Sequence, residues 1–261
     1  MKNIVVIPII KNKEHESKYG GFDWMGLSEK TWQYWCDKHN YELVIYNKPS
    51  QEDLFKYRVT WQRWFDIFDF LDEKNIKYDK ILMTDACSMV KWDCPDMFDL
   101  VGDDLTATID MDNLGWIYSS VQGYKSFFND FELDISRYIN AGFVFFNKNH
   151  RELFKKLKTM YEENIETIIN LQDNIVNKGT DQTPLNYLIQ KENVDVKFLP
   201  PPYRLSHLHR REALGHNWQL NEDNTPFFIK YAYVWVFSGF SKEHRNKLME
   251  QTWDLVGNKY V

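Results

Sequence analysis

Cysteine is scarce in this chain: 261 residues hold three, Cys36, Cys87 and Cys94. Three scattered thiols do not make a disulfide framework or a structural zinc site, and a reducing, cytoplasmic compartment is the expected setting. An excess of positive charge is also absent. There are 32 Lys and Arg against 38 Asp and Glu, a formal net charge of −6, so no global basic field draws the protein to nucleic acid or an anionic membrane. No apolar run approaches the roughly 18 residues that a membrane-spanning helix needs. The opening segment, MKNIVVIPII, has a short apolar run and no small-residue cleavage site. It reads as a first core strand, not a secretion signal. No G-x-G-x-x-G follows it, which argues against a Rossmann dehydrogenase, and the lack of a Gly-rich phosphate loop weakens a nucleotidyltransferase. Repeats, low-complexity tracts and Gly/Ser linkers are missing, so residues 1–261 are expected to form a single domain.

Aromatic residues are plentiful, at 16% of positions with ten Trp. Rings stack well on sugars and bases, but most such rings fill cores. Hydrophobic residues at 43% and charged residues at 27% suit a globular protein. Residues 3–10 read as a buried strand, 28–39 as a helix with Trp32, Trp35 and Cys36 on one face, and 41–46 as a second strand. An amphipathic helix is predicted over 60–73, with Trp61, Trp64, Phe65, Phe68 and Leu71 in one stripe. Short strands over 80–84 and 105–109 each run into an acid. A helix over 115–128, a strand over 141–146 and a long helical period over 150–169 follow. Residues 183–191 form a helix with Pro184 in its first turn, where the missing N–H costs nothing, and 194–199 a last strand stopped by Pro200. This alternation predicts an α/β fold with a mostly parallel sheet flanked by helices.

Open α/β sheets bind ligands at the carboxyl ends of their strands. Asp85 follows KILMT and Asp110 follows LTATI, so each acid is held on a rigid element, although Asp is also a common turn former. Tyr138-Ile139-Asn140-Ala141-Gly142 places an amide and small residues just before an apolar strand. Gly179-Thr180-Asp181-Gln182 places an acid and an amide at a helix N-terminus, where Asp181 also suits a capping role. Phe237-Ser238-Gly239-Phe240-Ser241-Lys242 is a small-residue turn followed by a cation able to meet a phosphate. Arg58 and Arg63 lie in the Trp-rich helical region, and Arg63 reads as a solvated helix charge. Tyr203 to Arg211 is the most basic stretch, suited to a solvated loop or to an acceptor; His207 and His209 have no third ligand to make a zinc site.

In this order, these segments resemble the GT-A fold nucleotide-sugar glycosyltransferases, specifically the pattern of glycosyltransferase family 8. KYDKILMTDACSMVKWDCPDMF is similar to that group's Asp-x-Asp strand, and LTATID to the strand after it. YINAGFVFFNK resembles the Asn-Ala-Gly element, GTDQTPLNYL the Asp-Gln element, VKFLPPPYR the following Leu-Pro strand, and VFSGFSK the closing His-Phe-x-Gly-x-x-Lys. The likeness spans roughly residues 75 to 245, and joint order makes it specific where each motif alone is weak.

The resemblance implies a GT-A fold, mixed and mostly parallel, and transfer of a sugar from a nucleoside-diphosphate donor, UDP-hexose first, with retained configuration. Asn140, Asp181 and Gln182 would line the sugar, with Asp181 or Gln182 beside the anomeric carbon. Asp110 would take the sugar hydroxyls. Arg58 would approach the donor, and Gly239 and Lys242 would close on the leaving phosphates. Asp85 would touch ribose or a Mn²⁺ or Mg²⁺ ion. Two departures bear on that ion: the Asp-x-Asp reads Asp85-Ala86-Cys87, and the closing His position holds Val236. Three readings stay open. The ion is held by Asp85, Cys87 or a compensating group such as Asp93 together with the diphosphate; Lys242 and Arg residues replace it; or the chain is a non-catalytic nucleotide- or sugar-binding module. Metal-assisted transfer is placed first, because the other motif residues remain. The acceptor class stays open between glycan, protein and modified nucleic acid. The Lys-, Asn-, Ile- and Tyr-rich composition suits an AT-rich, for instance viral, genome.

Overall fold

The computed structural model describes residues 2–11, 21–111, 113–177, 180–204, 222–223 and 225–261. Strand β1 (Lys2–Pro8) leads to helix α1 (Asp23–His39) and strand β2 (Glu42–Tyr46). Helices α2 (Val59–Phe65) and α3 (Ile67–Glu73) precede β3 (Tyr78–Thr84), β4 (Ser88–Val90) and β5 (Leu105–Ile109). Then come α4 (Leu114–Lys125), β6 (Ile139–Asn147), α5 (Arg151–Glu163) and α6 (Ile165–Asn170). The rest comprises α7 (Gln182–Lys191), β7 (Val196–Phe198), α8 (Phe227–Tyr231), β8 (Val234–Val236) and α9 (Lys242–Val256).

These elements form two compact units drawn from interleaved segments, the first from Lys48–Ile81 and Val101–Leu199, the second from Lys2–Asn47, Leu82–Leu100 and Pro200–Val261. In the first unit, β5 pairs antiparallel with β6 and parallel with β7. All nine residues of β6 are buried, as a strand covered on both faces requires. Helix α7 docks on β6 through one side chain: Asn186 accepts from Ile139 N–H at 2.7 Å and donates to Ile139 C=O at 2.9 Å. Below it, Phe128 stacks on Tyr187 at 4.2 Å in a cluster with Ile117, Val121, Tyr124 and Leu171. In the second unit, β1 and β2 are parallel and β4 and β8 antiparallel. The α1 indoles are satisfied inside it, Trp32 donating to Ser88 Oγ at 3.0 Å and Trp35 to the Cys94 carbonyl at 3.2 Å. Trp24, Trp32, Trp35, Trp61, Trp64 and Trp235 are all buried. Those rings are core.

Several predicted elements change shape. The helix expected over 60–73 breaks at Asp66 (φ −118°, ψ −2°). The Asp66 carboxylate accepts from Lys158 Nζ at 3.1 Å and from Ser50 Oγ, a competing use of a short polar side chain that disfavours a helix interior. Likewise the period over 150–169 divides at Asn164. Helix α1 begins at Asp23, before the expected 28, and ends on Asn40 in the left-handed region (φ 58°). The short strands β4 and β8 and the helices α8 and α9 lie outside the sequence expectation.

Candidate active site

In the first unit, β5 carries its terminal acid into a polar cluster. The β5–β6 register shifts between Ala107 and Ile109, an irregularity of the kind that re-aims a side chain. Asp110 N–H then donates to the Tyr138 carbonyl at 2.9 Å, and the Asp110 carboxylate is buried at 7% exposure. Its Oδ2 accepts from Asn140 Nδ2 at 3.1 Å and from Gln182 Nε2 at 2.7 Å. Both amides are oriented from behind. Asn140 Oδ1 accepts from Gly142 N–H at 2.8 Å, and Gln182 Oε1 accepts from Ala141 N–H at 3.0 Å. Backbone donors on the oxygens leave the NH₂ groups toward Asp110, and each NH₂ has a second N–H to donate. A fixed carboxylate flanked by two fixed amide donors is suited to reading hydroxyl groups. Asp110, Asn140 and Gln182, which the resemblance places around the sugar, are hydrogen-bonded together through the Asp110 carboxylate.

Asp181 occupies the residue before α7, yet its side chain makes no capping bond. Instead Oδ2 accepts from Arg63 Nη2 at 2.8 Å and from Trp64 Nε1 at 2.8 Å, and Oδ1 from Thr180 Oγ at 2.9 Å. The Arg63 and Asp181 side chains are 5% and 4% exposed. Arg63 is therefore not a solvated helix charge. It is a buried counterion, packed 4.9 Å from the Trp64 ring. A signal was available: in VTWQRWF, Arg63 is flanked by Trp61, Trp64 and Phe65, large rings of the kind that fill cores, and a buried Arg needs a carboxylate. Arg58 pairs with Asp173 at 2.6 Å, both partly exposed, and not with Asp181.

The remaining motif residues belong to the second unit. The Asp85 carbonyl accepts from Ser88 N–H at 3.1 Å and Ser88 Oγ at 2.6 Å, closing a turn into β4. The closing segment meets that turn: Phe237 N–H donates to the Cys87 carbonyl at 2.8 Å, and Ser88 faces Val236 across the β4–β8 ladder. Gly239 is left-handed (φ 77°), which only glycine adopts freely. Ser241 then caps α9, whose first residue, Lys242, is exposed. Arg245, one turn on, lies 3.9 Å from the Trp24 ring, and Arg204 is 7% exposed. Both guanidinium groups are near enough to Cys87 for their charge to act on its thiol, although burial and then Asp85 prevail and push the thiol up to about 12. Of the basic stretch, only Tyr203 and Arg204 are described; 205–211, with His207 and His209, and Gly179 lie outside the described residues.

The Asp85–Cys87 turn fits a hard divalent ion poorly. Mn²⁺ and Mg²⁺ prefer oxygen and imidazole donors; Cys87 offers a thiol, and Val236 a buried isopropyl group. Among the described residues, no three His, Cys, Asp or Glu side chains gather as a metal site requires.

No protein-family model matches the sequence, and no curated protein matches it. Solved structures do match the fold. A glycosyltransferase involved in glycosylation of the major capsid of PBCV-1 aligns over 96% of this chain and 100% of its own, at 11% identity and TM-score 0.55. Mouse xyloside xylosyltransferase 1 aligns over 92% and 99%, at 7% identity and TM-score 0.50. The bifunctional glycosyltransferase WbbM aligns over 99% of this chain and 51% of its own, at 15% identity and TM-score 0.50. The chain has the mixed α/β, GT-A-type fold of these glycosyltransferases.

Proposed function

We propose that this chain is a glycosyltransferase that moves a hexose from a nucleoside-diphosphate donor, UDP first, to an acceptor hydroxyl with retention of configuration. The observation that carries the reading is the Asp110–Asn140–Gln182 cluster, assembled from three distant segments on a fold shared with sugar-transferring enzymes. As the donor bond breaks, the sugar carbon becomes oxocarbenium-like, and preorganised dipoles around the ring lower that barrier. Asp110 accepts from sugar hydroxyls. Asn140 and Gln182 donate to ring substituents, and Gln182 stands nearest the anomeric carbon.

Asp181 has a positioning role in this reading. Its oxygens hold Arg63, Trp64 and Thr180, which locks the start of α7 and thereby Gln182. By resemblance, Asp85, Gly239 and Lys242 serve the nucleotide, and Arg58, tied to Asp173, acts at a distance from the Asp181 carboxylate. The capsid-directed neighbour makes a glycoprotein glycan the first acceptor class to try, in a viral and cytoplasmic setting.

Incubating the protein with UDP-glucose, UDP-galactose and UDP-xylose and following UDP release tests the reading. Slow donor hydrolysis is expected without acceptor, and Asp110→Ala should remove it. Nucleotide binding with no hydrolysis or transfer from any donor would move the chain to the non-catalytic class, which the substituted ligand positions Cys87 and Val236 favour.

A further inference from the structure

We propose that Tyr138 is a positioning residue of the candidate sugar site: it holds Gln182 against Asp110 and touches no substrate itself. The inference rests on the glycosyltransferase reading and adds a residue to that same site. Tyr138 grips the segments of both partners. Its carbonyl accepts from Asp110 N–H at 2.9 Å. Its hydroxyl shares a hydrogen bond with Thr183 Oγ1 at 2.6 Å, and Thr183 follows Gln182 in the first turn of α7. One residue therefore spans the acid and the amide, which meet at 2.7 Å between Gln182 Nε2 and Asp110 Oδ2.

The Tyr138 ring belongs to the buried cluster of Ile117, Val121 and Tyr187, which fixes its place. Thr183 Oγ1 shares a second hydrogen bond, at 2.6 Å, with Ser120 Oγ on α4. Ser120, Tyr138 and Thr183 are all 0% exposed. A Thr hydroxyl sits on the branched Cβ, so holding it holds the backbone of the helix start. Stability alone does not call for this chain of hydroxyls, since apolar groups of the same shape in place of a bonded pair cost little. What the hydroxyls add is direction, because a hydrogen bond tolerates only a narrow range of distance and angle. Burial raises the pKa of the phenol, Thr183 and Gln182 lower it, and burial prevails, so the group keeps its proton at neutral pH. Gln182 needs that direction. Its side chain is long, flexible and only partly buried, and its head meets Ala141 N–H at 3.0 Å besides Asp110. A shift of the α7 start would part it from both, and a functional group tolerates displacements of only about 0.5 Å.

Two measurements on the full chain test this. Steady-state UDP release from the best donor among UDP-glucose, UDP-galactose and UDP-xylose gives kcat and KM. Amide hydrogen exchange at Ala141 reports the Gln182 contact without any turnover. Tyr138→Phe leaves the Thr183–Ser120 bond in place, and its kcat should fall about tenfold with KM kept within about twofold, the scale of one hydrogen bond. Exchange at Ala141 should quicken about tenfold, while Gly142, whose N–H is held by Asn140 Oδ1 at 2.8 Å, should not change. Thr183→Ser keeps the hydroxyl and should match the wild type in both measurements. Unchanged Ala141 exchange in Tyr138→Phe overturns the inference. So does unchanged kcat, an equal rise at Gly142, or a Thr183→Ser variant as impaired as Tyr138→Phe. A wild-type protein that releases UDP from no donor removes the transferase reading instead, and Ala141 exchange then decides whether Tyr138 places Gln182.

Discussion

Arg63 in the first unit and Arg245 in the second are both held against tryptophan, at 4.9 and 3.9 Å from a ring. Their settings differ. The Arg63 charge is sealed from water and committed to Asp181; Arg245 is partly exposed at the start of a helix. A sealed charge answers to the fold, and an accessible one can answer to a ligand. Replacing Arg63 should therefore be the most damaging single change. Arg63→Ala leaves Asp181 buried without its counterion, a loss of roughly 3–5 kcal/mol for a desolvated pair, read as a large fall in denaturation midpoint. Arg63→Met combined with Asp181→Leu should recover much of that stability while activity stays low. If Arg63→Ala were as stable as Arg245→Gln, the contrast between the two units would disappear.

The next effect sharpens the same contrast from the chemical side. Asp110→Asn keeps the shape of the side chain but turns one acceptor into a donor facing the N–H groups of Asn140 and Gln182. Donor turnover should fall about 10²-fold or more, the scale of removing one preorganised electrostatic contact. Circular dichroism should show the fold kept. An Asp110→Asn enzyme with undiminished UDP release would place the reaction elsewhere.

How much of this was legible in the sequence differs between the units for a physical reason. Asp110, Asn140 and Gln182 sit where a strand ends, where one begins and where a helix starts, and those boundaries leave a composition signal. Their partners were not visible. Arg63 looks like any helix cation until the aromatic surround is seen as burial, and Asp66 interrupts a period that alone predicts one helix. In the second unit, β4 and β8 are three residues each, too short to show alternation. Their pairing is long-range, so the link between Cys87 and Phe237 has no local signature. Only the resemblance relates the Asp85 turn to the closing segment, through an implied metal ion; the β4–β8 ladder is what joins them.

A third, smaller effect tests how tightly the first unit is packed. A Cβ at Gly123 in α4 would lie 2.5 Å from Val176 Cγ2, with the other two nearest atoms also on Val176. Val is stiff at χ1 and cannot swing aside. Overpacking costs about 1–3 kcal/mol and a mid-helix Gly→Ala gains about 1, so Gly123→Ala should be destabilising by up to about 2 kcal/mol. In a Val176→Ala background, the same substitution should turn neutral or stabilising. A destabilisation that persists there would mean the clash is not with Val176.

The smallest expected effect concerns pH, and it too belongs to the first unit. His150 is buried between β6 and α5, and its Nδ1 accepts from Asn147 N–H at 3.2 Å. An imidazole nitrogen that accepts a hydrogen bond must be unprotonated. Burial lowers the His150 pKa below its ordinary value, against the raising charges of Asp104 and Asp103. In the folded state the ring therefore takes a proton at lower pH than in the unfolded chain. Above the unfolded value, near 6.5, both states hold it neutral and its contribution is complete. As pH falls through that value, the unfolded chain binds the proton first, and stability is lost toward the folded pKa. Melting temperature should drop between about pH 7.5 and 5.5, and the drop should shrink in His150→Gln, whose carbonyl oxygen keeps the acceptor without titrating. Hydrogen exchange should locate the loss around Asn147 to Phe154 and leave the β4–β8 ladder unchanged. A drop of equal size in His150→Gln would assign the pH dependence to carboxylates common to both proteins, and the sealed first unit would then be no more proton-sensitive than the second.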